Sequence, residues 1–173
     1  QVEGEGRGED ELAMLRDERE FLNSVLVEQP NGDFAQTIAR QLLVDAFQVP
    51  LYAALTRSSD AQLAGIAAKA VKEATYHLRY STRWTVRLGD GTDESHARMQ
   101  AGLDAMWPFA GDLFATDDVE EQLRADGIVP DYDELRATYD TTLADILAEA
   151  TLDMPSDPYE RRGGRNGFHT EYL

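Results

Sequence analysis

The stretch KEATYHLRY, at residues 72–80, places a histidine inside a helical pattern. Helix bundles that bind metals use Glu-x-x-His, because side chains three residues apart lie on one face and reach the same ion. Here the residue three positions before His77 is Ala74. The glutamate stands one position earlier, at Glu73, and its side chain points about 100° away from that of Ala74. The segment therefore contains only half of a metal-ligand pair.

Asp45 is the second residue that could do chemistry. It lies on an apolar helical stripe with Leu42 and Val49, so it should face the core. A buried carboxylate is costly unless it is paired or hydrogen-bonded. If the two helices pack antiparallel, Asp45 and His77 face each other, as in half of a carboxylate-bridged metal site. The interpretation that we favour is a structural hydrogen bond between Asp45 and His77.

Other catalytic constellations are missing from the sequence. It contains no cysteine, which excludes disulfides, thiolate nucleophiles and Cys-based zinc sites. It has no P-loop, no dinucleotide-binding fingerprint and no serine in a nucleophile elbow. We therefore expect neither a catalytic residue nor a cofactor in this chain.

The charge balance restricts the classes of partner. The formal net charge is −17 over 173 residues. This argues against nucleic acid, whose recognition needs a basic patch, and against anionic membrane surfaces. No apolar run is long enough to span a bilayer, and no signal peptide is visible. The sequence predicts a cytoplasmic protein that binds neither nucleic acid nor membrane.

Apolar residues recur at helical spacing along most of the chain, without an alternating strand pattern of useful length. Small inward-facing residues favour close packing, so we predict an all-α protein built as an antiparallel helix bundle. The bundle should occupy residues 9–154, between a flexible segment at 1–8 and an irregular basic tail at 155–173. Helices are predicted over 9–16, 17–26, 33–56, 60–88, 93–115, 118–125 and 131–153, with a kink at Pro50 and an interruption at Pro108.

Local patterns predict where helices begin and which face they bury. Two helix starts carry capping-box patterns, Asp33 with Gln36 and Ser59 with Gln62. On the longest helix the predicted inward stripe consists of Leu63, Ile66, Ala67, Ala70, Ala74, His77, Leu78 and Leu88. His77 would then point at the preceding helix, where Asp45 lies.

Four stretches together match a known family in the same order along the chain: RDEREFLNSVLVEQPNGDFAQTIARQ, KEATYHLRYS, RLGDGTD and GGRNGFHTEYL. On these segments the sequence resembles the C subunits of phenylacetyl-CoA 1,2-epoxidase, the ring-epoxidising multicomponent oxygenase of bacterial phenylacetate degradation. The resemblance covers essentially the whole chain. It implies a ferritin-like helix bundle, and we expect the first helices of that family to be absent from this chain.

The resemblance also implies a division of labour between subunits. In that family the A subunit holds the di-iron centre, and the C subunit is a paralogue that has lost the metal ligands and supports the A subunit. Ala74 stands where a metal-binding paralogue has Glu, His77 is retained, and Asp45 matches another ligand position. The resemblance therefore implies a structural subunit with no metal of its own. Its partners would be the di-iron A subunit and the other epoxidase subunits.

Two alternatives remain open. The chain could be a ferritin-like di-iron oxygenase in its own right, with the missing ligands supplied by a region that precedes it. It could also be an unrelated acidic helical binding module. Stoichiometric metal would favour the first alternative, and a helix order unlike that of the ferritin-like bundle would favour the second.

The tail locally reverses the charge of an acidic protein. Arg161, Arg162 and Arg165 are candidates for an interface with an acidic partner surface. The alternative is that these arginines neutralise acids nearby. His169 and Glu171 resemble a fixed feature of the family, and we expect them to cap a following helix.

Overall fold

The computed structural model describes residues 6–17, 20–156 and 161–173, so most of the predicted flexible segment lies outside the described residues. In the described part helices dominate and no β-strand occurs, which confirms the all-α prediction. The helices are α1 (Glu9–Ala13), α2 (Val25–Glu28), α3 (Phe34–Leu55), α4 (Ala61–Gly89), α5 (Asp93–Ala110), α6 (Asp118–Ala125) and α7 (Tyr132–Glu149), with short 3-10 helices at Gly111–Phe114 and Gly164–Asn166.

The long helices α3, α4, α5 and α7 form a bundle in which successive members run antiparallel. The start of α3 lies against the end of α4, where the ring centroids of Phe34 and Trp84 are 5.0 Å apart. The start of α3 also meets the start of α5 through an ion pair of 3.2 Å between Asp33 and Arg98. The antiparallel bundle predicted from the sequence is therefore confirmed.

Side chains at the helix N-termini bond to the first backbone N–H groups, which have no partner within the helix. Asp33 caps α3 as predicted, since its Oδ1 accepts from the backbone N of Gln36 at 2.9 Å. The cap of α4 is Asp60, so the predicted capping box at Ser59 is wrong. The Ser59 hydroxyl instead donates to the backbone carbonyl of Asp126 at 2.9 Å and ties α4 to the end of α6.

The N-terminal region is less helical than predicted. The first helix ends at Ala13 rather than at residue 16. Residues 18 and 19 of the helix predicted over 17–26 lie outside the described residues, and within 21–26 the structure has helix only from Val25, where the four-residue α2 begins. Ser24 caps α2, and the preceding residues 21–24 are not helical. This segment has a tertiary reason to stay extended, because Gly164 of the tail packs directly against the backbone of Asn23.

The two prolines do not end their helices. α3 runs without a break through Pro50, and α5 continues past Pro108 to Ala110 before the chain tightens into a 3-10 turn. The interruption predicted at Pro108 therefore lies a few residues later. The last helix stops at Glu149, earlier than predicted, because Thr151 adopts a positive φ of 57° that a helix cannot accommodate.

The core lies among α3, α5, α7 and the first 3-10 helix. Edge-to-face contacts connect Phe47 to Phe114 at 5.1 Å and Phe114 to Tyr139 at 5.0 Å. The side chains with no measurable exposure include Leu26, Leu42, Leu43, Ala46, Met99, Leu103 and Leu143. Across the described residues, none of the helices combines the length and the apolar character needed to cross a bilayer.

α4 buries only a narrow line of small residues, namely Ala67, Ala74, Ser81, Thr85 and Gly89. The prediction of Ala67 and Ala74 as inward residues is confirmed, but Ile66 and His77 are exposed. The predicted inward stripe is therefore too wide. Small side chains let α4 approach its neighbours closely, and they leave most of the surface of this helix outside the bundle.

Two glycines of α4 form a matched pair that tests this close approach. A Cβ at Gly89 would lie 2.3 Å from the carbonyl oxygen of Ala150, whereas a Cβ at Gly65 meets nothing within 4 Å. Gly89→Ala is expected to lower the free energy of unfolding by about 1–3 kcal/mol through overpacking. Gly65→Ala is expected to raise it by about 0.5–1 kcal/mol, because alanine restricts the unfolded chain. Urea unfolding measures both, and equal effects would contradict the packing.

Candidate functional site

The strongest site candidate is a buried polar cluster between α3 and α4. Asp45 has an exposure of 0%. Its Oδ2 accepts a hydrogen bond of 2.8 Å from the Ser81 hydroxyl, and its Oδ1 accepts one of 2.6 Å from Nε2 of Gln41. Burial raises the pKa of Asp45, while the bonds from Ser81 and Gln41 and the nearby His77 act in the opposite direction.

His77 does not bond to Asp45, so the predicted hydrogen bond between them is wrong. The imidazole lies at the exposed edge of α4, beside a shallow groove that it lines with Phe34 and Tyr80. Ser81, one turn further along α4, takes its place as the partner of Asp45. The prediction failed because the buried face of α4 is narrower than the predicted inward stripe, and His77 lies outside it.

Sequence reasoning missed Ser81, although a signal was present. Ala67, Ala74 and Ser81 are spaced seven residues apart, which is close to two helical turns and keeps them on one line. Such a line of small residues indicates the contact seam of the helix more sharply than a broad apolar stripe does. A hydroxyl on that seam, opposite a carboxylate on α3, predicts the bond that the structure shows.

The cluster does not fit a metal centre. Ala74, three residues before His77, is buried and offers no donor atom, and both oxygens of Asp45 already accept hydrogen bonds. Within residues 6–17, 20–156 and 161–173, no three His, Asp or Glu side chains converge as ligands. A di-iron site needs two carboxylates and two Glu-x-x-His pairs, so we derive no metal chemistry for these residues.

A second polar cluster joins the tail to α2 at Glu28, which is buried. Its Oε1 accepts hydrogen bonds from Asn23 Nδ2 at 2.9 Å and His169 Nδ1 at 2.7 Å. Its Oε2 accepts from the backbone N of Thr170 at 2.7 Å and from the hydroxyl of the same residue at 2.9 Å. Burial alone would raise the pKa of Glu28, but these bonds outweigh burial and lower it.

Asp112, like Glu28, connects α2 to the tail through hydrogen bonds. Its carboxylate has an exposure of 0%, and it accepts hydrogen bonds of 2.8 Å from the backbone N of Val25 and of Gly163. One buried acid thus joins the start of α2 to the tail, and Glu28 joins the end of α2 to the last residues. The segments LVEQPNG and GFHTEYL, both part of the family resemblance, meet in this contact. His169 is therefore a partner of Glu28, and the capping of a following helix by His169 and Glu171 stays a prediction.

The three candidate arginines of the tail occupy different environments. Arg165 forms an ion pair with Glu120 and donates to the carbonyl of Ala115 at 3.2 Å. The guanidinium of Arg161 lies over the ring of Phe109, 5.2 Å from its centroid, and Arg162 is exposed. Arg165 therefore neutralises an acid of its own chain. A role of the three arginines in binding a partner stays a prediction.

A four-helix antiparallel core with an inward carboxylate on one helix is the pattern of a ferritin-like bundle. Residues 1–173 match the family described as "Phenylacetic acid catabolic protein". A relative from Escherichia coli (strain K12), named as the C subunit of 1,2-phenylacetyl-CoA epoxidase, is 49% identical over 173 residues, which is 100% of this chain and 69% of that protein. The chain belongs to the phenylacetic acid catabolic protein family, and the ferritin-like helical fold and the resemblance found in the sequence are confirmed.

Asp45→Asn tests the energetic state of the buried carboxylate. A raised pKa means that the folded protein binds this proton more tightly than the unfolded chain, so the contribution of Asp45 to stability falls as the pH rises above about 4. The free energy of unfolding of Asp45→Asn should therefore increase relative to wild type between about pH 4 and neutral pH. Urea unfolding at several pH values measures the difference. Asp153→Asn, at an exposed carboxylate, is the control, and a pH-independent difference at Asp45 would contradict the assignment.

Glu28→Gln tests the anchor of the tail. The amide can no longer accept all four hydrogen bonds, so we expect a loss of about 1–3 kcal/mol in the free energy of unfolding. Because the pKa of Glu28 is lowered, this loss should be present at neutral pH and disappear as the pH falls through that pKa. Hydrogen exchange of the Thr170 amide should also accelerate. Glu171→Gln, at an exposed neighbour, should change neither quantity, and equal effects of the two variants would refute the anchor.

Proposed function

We propose that this chain is a non-catalytic structural subunit of a phenylacetyl-CoA epoxidase. The name of the E. coli relative, 49% identical over the whole chain, supports membership of such a complex. The observation that supports the non-catalytic assignment is local: the inward carboxylate of Asp45 is held by Ser81 and Gln41, and the residue three positions before His77 is the buried Ala74, which cannot bind a metal. In this proposal the chain keeps the helix arrangement of a metal-binding bundle, while Asp45 bonds to side chains of the protein instead of a metal.

The geometry explains how such a subunit keeps the bundle without metal. In a di-iron bundle the ions hold facing helices together through shared ligands. Here the hydrogen bond between Ser81 and Asp45 crosses the same seam between α3 and α4. The bond satisfies a carboxylate that burial would otherwise make costly. In this proposal Asp45, which remains from the ligand set, helps to hold α3 and α4 together.

The partner in this proposal is the di-iron catalytic A subunit, together with the other epoxidase subunits. The oxidation of the aromatic ring would take place in the A subunit, and this chain would hold that subunit in its active shape. The alternative, a di-iron oxygenase in its own right, would require Asp45 to leave Ser81 and Gln41 and another residue to replace Ala74. The buried hydrogen bonds do not favour it.

The test is the metal content of the full-length protein, purified alone and with its A subunit. We expect iron only in the co-purified complex, in the amount that the A subunit binds alone at saturation. Epoxidation of phenylacetyl-CoA should require both chains. About two irons per chain in the lone protein would overturn the proposal. Failure of the wild-type chain to co-purify with the A subunit would also overturn it.

A further inference from the structure

α4 carries a charge opposite to that of the rest of the protein. It contains Lys69, Lys72, Arg79, Arg83 and Arg87 against the single acid Glu73, which gives this helix a net charge of +4. The chain as a whole carries −17, so everything outside α4 sums to −21. Both lysines of the sequence lie on this one helix. Such segregation is not required for solubility, since dispersed charges of either sign would serve.

The five cations form one stripe. At about 100° per residue, they fall within a sector of about 80°, whose centre lies about 180° from Ala74 on the buried seam. The stripe spans about 27 Å from Lys69 to Arg87. We call these five residues the basic stripe. It faces directly away from the helices against which α4 packs.

The basic stripe is exposed along its whole length. Among the described residues none of its five members forms an ion pair with a carboxylate, although other exposed arginines do, such as Arg98 with Glu94 at 2.8 Å. Arg87 makes an aromatic contact instead, with its guanidinium 5.3 Å from the ring centroid of Trp84. The charges of the stripe are therefore available to another molecule.

Aromatic side chains are interleaved with these charges. Tyr76 and Tyr80 are 67% and 47% exposed, and with Arg79 and Arg83 they line a shallow groove of about 110 Å³. Tyrosine and arginine are among the residue types most enriched at the energetic centres of protein interfaces. Two exposed tyrosines between arginines are not needed to keep a helix surface solvated, so they indicate a contact with another molecule.

We propose that the basic stripe of α4 is a docking surface for an acidic, elongated face of a different subunit of the complex. The inference rests on the proposed function, because that function supplies the neighbouring subunits. Cations follow each other at about one per helical turn along a convex ridge, which fits acids repeated along a facing helix. Tyr76 and Tyr80 supply apolar contact area at the centre of the docking surface. The arginines bond to carboxylates of the partner and so set the alignment of the two surfaces.

Two other occupants fit less well. A phosphate-bearing small molecule needs donors that converge in a concave pocket, whereas the basic stripe runs about 27 Å along a convex ridge. A second copy of this chain offers acids on α7, but two folded copies that each carry −17 repel one another at long range. The experiments described next would detect either of these two binding partners.

The two lysines make the first experiment specific. A carbodiimide joins an amine to a carboxylate without a spacer, so it records only ion pairs in direct contact. In the co-purified wild-type complex, the expected product joins Lys69 or Lys72 to an Asp or Glu of another subunit. Products confined to two copies of this chain would overturn the choice of partner. An absence of products at both lysines, in a complex that assembles, would overturn the docking surface itself.

Charge reversal tests the same surface by affinity. Arg79→Glu and Arg83→Glu lie on exposed positions away from the bundle, so each variant should fold with wild-type urea stability. Each should weaken assembly by about tenfold or more at low salt, because a like charge then meets the acidic partner. Arg57→Glu, the same change at an exposed position at the end of α3, is the matched control and should bind as wild type does. Arg83→Lys should retain most of the affinity.

The outcomes separate this inference from the proposed function. If wild type fails to assemble, the proposed function falls. If wild type assembles and both α4 reversals bind as tightly as the Arg57→Glu control, only the docking surface is wrong. If millimolar pyrophosphate protects both lysines of the isolated chain from acetylation, the stripe is a phosphate site, and the proposal of a protein partner is overturned.

Discussion

The carboxylate of Asp45 sets the central constraint on this fold. It is sealed between α3 and α4, where an unpaired charge would cost several kcal/mol. The chain meets that cost with two short hydrogen bonds, one from its own helix through Gln41 and one across the seam through Ser81. The second bond requires the rotation of α4 about its own axis that places its line of small residues against α3. That rotation in turn decides which face of α4 is buried and which side chains point outward.

Buried acids also accept hydrogen bonds where α2 meets the tail. Asp112 accepts hydrogen bonds from the backbone N–H groups of Val25 and Gly163, and Glu28 accepts one from that of Thr170. Irregular segments need such acceptors, because their backbone groups have no helical partners. Residues 161–173 of the tail are consequently part of the packed structure, even though the one regular element among them is a short 3-10 helix. Three of the four buried acids among the described residues, Glu28, Asp45 and Asp112, thus join separate segments of the chain, and the fourth, Glu120, pairs with Arg165.

Much of the architecture follows from local patterns in the sequence. Helical periodicity predicts the long helices, and N-cap chemistry places the start of α3 correctly, because both depend on residues a few positions apart. The predictions failed where contacts between residues far apart in the sequence determine the local conformation or the hydrogen-bond partner. The region at residues 21–24 stays extended because Asn23 packs against Gly164, and Asp45 bonds to Ser81 because small residues set the seam of α4. The partners of Glu28 lie in the tail, and no local pattern reveals a contact between two irregular segments.

The anchor at Glu28 has a consequence for the order in which the protein folds. Its partners His169 and Thr170 lie 141 and 142 residues further along the chain. A ribosome that adds about 5–20 residues per second exposes Glu28 for several seconds before the tail emerges. During that interval α3, α4 and α5 can assemble from contacts within their own neighbourhood, while the region around α2 stays incomplete. Docking of the tail is then a late step, and a nascent chain stalled before residue 169 would carry a formed bundle with an open edge at α2.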